Sequence, residues 1–204
     1  MPPPRDLEPS AWNLANALTV LRLLLVPLLA WLLLRDGGED DPSRVAAFVT
    51  FSVAMVTDRV DGELARRRGL VTDFGKIADP IADKALTGTA FVGLSLLGEL
   101  PWWVTVVVLV REIGITVLRF VVIRHGVMPA GRGGKLKTGL QGLALGLYLL
   151  PLPASWHPVE VAAMVVAVVV TVVTGIDYAV QAARMRRTSA RTAARRHRAA
   201  GPAA

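Results

Sequence analysis

Apolar residues fall along this chain in six blocks, each closed by a short cluster of charged, glycine or proline residues. The blocks are 17–34, 45–57 with a helical continuation to 67, 81–97, 102–123, 136–152 and 159–183. A helix needs roughly 20 consecutive apolar residues to cross the hydrocarbon layer of a bilayer, so the pattern predicts six membrane-crossing helices. Gly37, Gly38 and Pro42 break the first connection, Gly98 and Pro101 the third, and Pro151, Pro153 and Pro158 the fifth. The second and third blocks are short or polar at one end, which a plain membrane anchor has no reason to be.

Composition agrees with that pattern. Of the 204 residues, 53% are hydrophobic, and the mean hydropathy of +0.49 is above what a soluble domain of this size carries. There is no cysteine, which excludes disulfides, cysteine-bound zinc and a thiol nucleophile. Charges in the connections give the orientation. The first, "RDGGEDDPSR", sets four acids against two arginines, while "GELPWW" and "PLPASWHPVE" hold no lysine or arginine. The alternate connections hold "RRR", "RHGVMPAGRGGKLK" and the arginine-rich end of the chain. The positive-inside rule then puts both termini in the cytoplasm, with Trp102, Trp103 and Trp156 at the opposite interface, where indole rings settle.

The expected architecture is an all-α integral membrane bundle of six transmembrane helices. Residues 13–184 form one domain without internal repeats. Residues 1–12 are a leader with no cleavable-signal pattern, and residues 185–204 are a basic, disordered cytoplasmic tail. Much of the excess behind the net charge of +7 lies in that tail. It lacks interleaved aromatics and follows an apolar span, so it is expected to meet anionic lipid headgroups rather than nucleic acid.

The densest polar stretch is "TDRVDGELARRRGLVTDFGKIADPIADK", residues 57–84. Asp58 and Asp61 are three residues apart, and Asp79 and Asp83 four apart; on helices both spacings put the carboxylates on one face. The first pair closes the second block and the second pair opens the third, so a tight reversal should bring four carboxylates face to face. Such a cluster repels itself unless cations neutralise it. All-oxygen ligands on helices suit hard divalent ions, magnesium or manganese, and two such ions could clamp a phosphate group. Asp73 is expected in the turn, off both faces, as an ordinary surface acid.

The same stretch reads D-x2-D-G-x2-A-R-x8-G-x3-D-x3-D, through Asp58, Asp61, Gly62, Ala65, Arg66, Gly75, Asp79 and Asp83. It resembles the signature of the CDP-alcohol phosphotransferases in every fixed position. The resemblance implies a six-span, N-terminus-in homodimer that displaces CMP from a CDP-linked lipid. It also implies that Asp58, Asp61, Asp79 and Asp83 ligate two Mg2+ or Mn2+ ions, and that Asp83 takes the proton from the acceptor hydroxyl. Gly62 and Ala65 leave room for the cytidine nucleotide on the helix face, and Arg66 and Thr72 match positions that contact the CDP-lipid. Gly75 is open between ligand contact and close packing.

Two further segments bear on the acceptor. "NLANALTVLRLLLVP" resembles the opening of the family's glycerol-phosphate branch, the bacterial phosphatidylglycerophosphate synthases. Its Asn16, Thr19 and Arg22 follow at three-residue steps and should face the site, because a polar stripe in lipid is costly; the plainer reading has Asn16 capping the helix and Arg22 snorkelling. In "REIGITVLRFVVIRHGVMPAGRGGKLKTGLQ", Glu112 and Arg119 are nearly aligned and could pair, and Lys135, Lys137 and Thr138 are expected at a helix N-terminus, a natural phosphate seat. This segment also resembles the glycerol-phosphate branch, which implies CDP-diacylglycerol and sn-glycerol 3-phosphate as substrates. Arg111, Arg119, Lys135, Lys137 and Thr138 are then the candidates for the acceptor phosphate. Cardiolipin synthases share the aspartate signature and are the alternative.

A divalent-cation transporter is a reading from another class, but transport sites favour the bilayer midplane, and these aspartates lie at a span end. Gly142 and Gly146 report close helix packing, within the chain or at a dimer seam. The three histidines are scattered, Asp177 and Tyr178 could reach the site or lie at the surface, and the Ala-, Arg- and Val-rich composition suggests a GC-rich bacterium, whose plasma membrane is the expected location.

Overall fold

The structure, a computed structural model, describes residues 14–68, 72–122 and 132–199. Six long helices make up most of these residues: α1 (Leu14–Leu34), α2 (Asp41–Arg68), α3 (Asp73–Leu96), α4 (Trp102–Val122), α5 (Arg132–Leu149) and α6 (His157–Ala199). Each contains most of one of the six apolar blocks. Among the described residues there is no strand. The differences from the sequence reading are at the ends. α5 begins four residues before its apolar block, and α6 runs to Ala199, so residues 185–199, which composition assigns to a disordered tail, are helical.

Two of the stretches, Asn16–Gly38 and Ala154–Ala183, are long and apolar enough to cross a membrane. The outer surface is greasy throughout: Leu24, Val56, Val110, Ile113, Val173 and Ile176 are all exposed. Large apolar side chains exposed in this number are unusual on a soluble monomer.

Helix α1 is the hub, packed along both α2 and α3, while α5 and α4 each pack on α6. α2 and α3 touch each other far less than either touches α1. The core holds Leu29 and Leu33 of α1, Phe51 of α2, Leu86, Phe91 and Leu94 of α3, and Leu145 and Leu149 of α5. Gly142 and Gly146 lie against Met55 and Phe48 of α2, so this glycine pair serves packing inside the chain. Polar groups in the interior are paired across helices: Ser95 with Thr105 at 2.7 Å between α3 and α4, and Gln141 with Thr171 at 3.1 Å between α5 and α6. In an apolar surrounding, each pair satisfies groups that would otherwise be stranded.

One end of the bundle is stapled by Arg44, buried in the first turn of α2. Its guanidinium grips Glu99 in the α3–α4 turn through contacts of 2.5 and 2.8 Å, and donates to the carbonyls of Tyr148 and Leu149 that end α5. Those carbonyls have no partner within their own helix, and the arginine supplies one. Asp40 caps the start of α2, accepting from the Ser43 N–H at 3.1 Å and from its hydroxyl. The chain reaches that cap through a short 3₁₀ turn in which Asp36, at φ 49°, adopts a left-handed conformation. Trp102, Trp103 and Trp156 lie exposed at this same end.

Candidate functional site

The other end of the bundle gathers the start of α1, the acid-bearing stretch of α2 and the start of α3. The stripe on α1 faces inward: Asn16, Thr19 and Arg22 are all buried, Arg22 to 1% exposure. Snorkelling is therefore excluded for Arg22, and Asn16 is two residues inside α1 rather than capping it. Each side chain engages one part of the aspartate-rich stretch. Arg22 Nη1 lies 2.7 Å from Asp58 Oδ1 on α2. The Thr19 hydroxyl donates to Asp79 Oδ1 on α3. Asn16 Oδ1 accepts from the Thr72 hydroxyl at 2.8 Å.

Thr72 has a second task. It is the N-cap of α3, its hydroxyl accepting from the Gly75 N–H at 3.1 Å. Asp73 is thus the first residue of the helix rather than a turn residue. Gly75 is buried against α1: a Cβ on it would stand 3.2 Å from Asn16 Oδ1 and 3.4 Å from Thr72 Oγ1. Its place in the motif is explained by close approach of α1 to the start of α3.

α2 and α3 are in contact as expected, and α1 packs along both, its Arg22 and Thr19 holding Asp58 and Asp79. Asp83 still lies within electrostatic reach of Asp58, and also of Lys84, Lys137 and Glu112. Among the described residues no three acids or imidazoles converge into a ready-made metal cage. Asp61, Gly62, Ala65 and Arg66 lie on α2, but their side chains fall outside what is described, as do those of Arg119 and Lys135. The donors on view still suit a hard cation. They are carboxylates with an oxygen held by a hydroxyl or guanidinium from α1, the kind of outer support that fixes a metal ligand's direction.

Beside the acids is a cluster of positive charge. Glu112, in the middle of α4, contacts Lys84 of α3 at 3.4 Å, its neighbour Arg111 at 3.0 Å, and Lys137 of α5. The pairing expected between Glu112 and Arg119 lies outside the described residues. Arg111 is further tied to α6, Nε donating to the Thr171 carbonyl at 3.1 Å and Nη2 to the Thr174 hydroxyl at 2.9 Å. Gly175 makes room for it; a Cβ there would come within 3.0 Å of the arginine's Cγ.

Lys137 is buried in the second turn of α5 rather than at its N-terminus, and Thr138 donates back to the Gly134 carbonyl at 3.1 Å. Tyr178 of α6 is buried with its hydroxyl near Gly134, whereas Asp177 is exposed and accepts from Gln181. Lys84 is the residue that sequence reasoning missed. Its signal was a lone cation in the third apolar block, next to the proposed base.

Residues 12–173 match the family model for CDP-alcohol phosphatidyltransferases. A protein of Mycobacterium tuberculosis described as a probable phosphatidylglycerophosphate synthase is 54% identical over 84% of this chain and 82% of its own length. The CDP-diacylglycerol–glycerol-3-phosphate 3-phosphatidyltransferase of Bacillus subtilis is 37% identical over 82% of this chain and 93% of its own. A CMP-forming cardiolipin synthase of Streptomyces coelicolor is 34% identical over 71% and 68%.

Proposed function

The chain belongs to the CDP-alcohol phosphatidyltransferase family, and on that footing we propose that it transfers the phosphatidyl group of CDP-diacylglycerol to sn-glycerol 3-phosphate, releasing CMP and phosphatidylglycerophosphate. The observation that carries this reading is the 54% identity to the mycobacterial relative across most of both chains. The cluster of Lys84, Arg111 and Lys137 beside Asp83 supports it over the cardiolipin alternative, because a phosphate monoester dianion calls for several fixed cations.

In this reading the chain crosses the bacterial plasma membrane six times with both termini inside, works as a homodimer, and opens its site to the cytoplasm. Asp58, Asp61, Asp79 and Asp83 hold two divalent ions, which when bound neutralise the diphosphate and the charge that develops on the leaving CMP. Arg22 and Thr19 set the directions of Asp58 and Asp79. Gly62, Ala65 and Arg66, with Asn16 and Thr72, line the path of the CDP-lipid.

Asp83 accepts the proton of the acceptor hydroxyl. That oxygen bonds to the lipid-side phosphorus, the bond from this phosphorus to the bridging oxygen breaks, and CMP departs with the electron pair. The test is CMP release by the purified protein in detergent, with magnesium and CDP-diacylglycerol. Release that depends on glycerol 3-phosphate is expected. Release with phosphatidylglycerol instead would make the protein a cardiolipin synthase, and metal uptake without release would make it a transporter.

A further inference from the structure

Glu112 collects cations from three helices in a setting with little water. Its own side chain and those of Arg111 and Lys137 are 15%, 12% and 7% exposed, and Lys84 is 31% exposed. Glu112 is the carboxylate in direct contact with all three cations, and Asp83 is the next acid within electrostatic reach; charge held away from water and shared this thinly is expensive. Such a cluster has donors to spare for a phosphate anion.

The three cations are not equivalent. The Arg111 nitrogens are committed to Thr171, Thr174 and Glu112, so this side chain is anchored to α6. Lys84 and Lys137 each show Glu112 as a partner among the described residues, and an ammonium has three donors. Both therefore keep donor capacity for a ligand. Lys84 also follows Asp83 directly in α3. In glycerol 3-phosphate only the three-carbon backbone separates the attacking hydroxyl from the phosphate, so a phosphate held at Lys84 leaves that hydroxyl close to the base.

We infer that Lys84 and Lys137 bind the acceptor's phosphate and that Glu112 is a positioning residue, holding the two ammoniums in place and standing in for the phosphate when the site is empty. This rests on the acceptor reading above and adds to it a residue and a division of labour. Arg111 braces the cluster, and the two lysines turn to the ligand.

The experiment uses the full chain in detergent with magnesium, following CMP release at varied glycerol 3-phosphate and varied CDP-diacylglycerol. Lys84→Met should raise KM for glycerol 3-phosphate about tenfold, the scale of one charge-assisted hydrogen bond, while KM for CDP-diacylglycerol stays within about twofold. Lys84→Arg should recover most of the loss. Glu112→Gln should raise the same KM and Glu112→Asp restore part of it. Glycerol 3-phosphate alone should raise the melting temperature of the wild-type protein and do so less in Lys84→Met.

An unchanged acceptor KM in Lys84→Met overturns the inference. So does a rise in KM for CDP-diacylglycerol instead, which would assign Lys84 to the lipid's phosphate. A Glu112→Gln protein that melts earlier with both KM values unchanged makes Glu112 a structural brace and overturns its positioning role. If the wild-type protein releases CMP only with phosphatidylglycerol, the acceptor reading itself fails, and this seat fails with it.

Discussion

Arg22 of α1 and Asp58 of α2 meet at 2.7 Å, the guanidinium all but sealed from solvent and the carboxylate open on one side. A buried arginine beside a half-open acid stabilises little by itself, because desolvation offsets the attraction. Its effect is directional: it holds one oxygen of Asp58 and so fixes where the rest of the carboxylate points. Replacing Arg22 with Met should lower phosphatidyl transfer about 10- to 100-fold, the worth of one hydrogen bond to a charged group. Arg22→Lys should retain more activity but fall short of wild type, since a point charge does not reproduce the planar fork. CMP release at saturating substrates measures both.

Thr19 does for Asp79 what Arg22 does for Asp58, through a single hydroxyl. Thr19→Val keeps the shape and removes the donor. The magnesium needed for half-maximal activity should rise about 10- to 100-fold, the usual cost of removing the outer support of a metal ligand, whereas Thr19→Ser should stay near wild type. A magnesium titration of each variant checks this.

How much of this was legible in the sequence differs from element to element. Six apolar blocks became six helices because the period and the breakers at Gly37, Gly98 and Pro151 are local signals. The inward turn of Asn16, Thr19 and Arg22 was legible too, since buried polar residues at helical spacing must face something polar. The packing of α1 along both acid-bearing helices was not. Spacing within a helix fixes which face carries Asp58 or Asp79, but it does not say which neighbouring helix packs there. Glu112 illustrates the same limit: its partners come from α3 and α5 as well as α4, and only tertiary packing brings them together. The roles of Asp61, Gly62, Ala65 and Arg66 rest on the motif.

At the opposite end, Arg44 joins α2, the α3–α4 turn and the end of α5. Arg44→Met strands two helix-terminal carbonyls and leaves Glu99 without its cation. Stranding the buried acceptors costs about 1–3 kcal/mol, and thermal melting in detergent should show a clear drop. The specific activity of the protein that remains folded should not change, because the staple is at the far end of the bundle from the aspartates.

Asp40 gives a pH dependence. The Ser43 hydroxyl and N–H it accepts from hold its carboxyl below the usual aspartate range, with Arg35 adding to the effect. A depressed acid stabilises the fold fully above its unfolded value of about 3.9, and the contribution is lost as pH falls through the lower folded value. Asp40→Asn keeps a neutral cap. Its melting temperature should lie below wild type at neutral pH and converge with it below about pH 4.

In the proposed reaction, acids of α2 and α3, oriented by α1, grip divalent ions together with the CDP diphosphate. Manganese bound per chain, read by electron paramagnetic resonance of the purified protein with and without CDP, tests it without depending on turnover. The account predicts CDP-dependent binding of two ions that is diminished in Asp61→Asn, Asp79→Asn and Asp83→Asn alike. Manganese binding indifferent to CDP, or unchanged when these aspartates are neutralised, would contradict it.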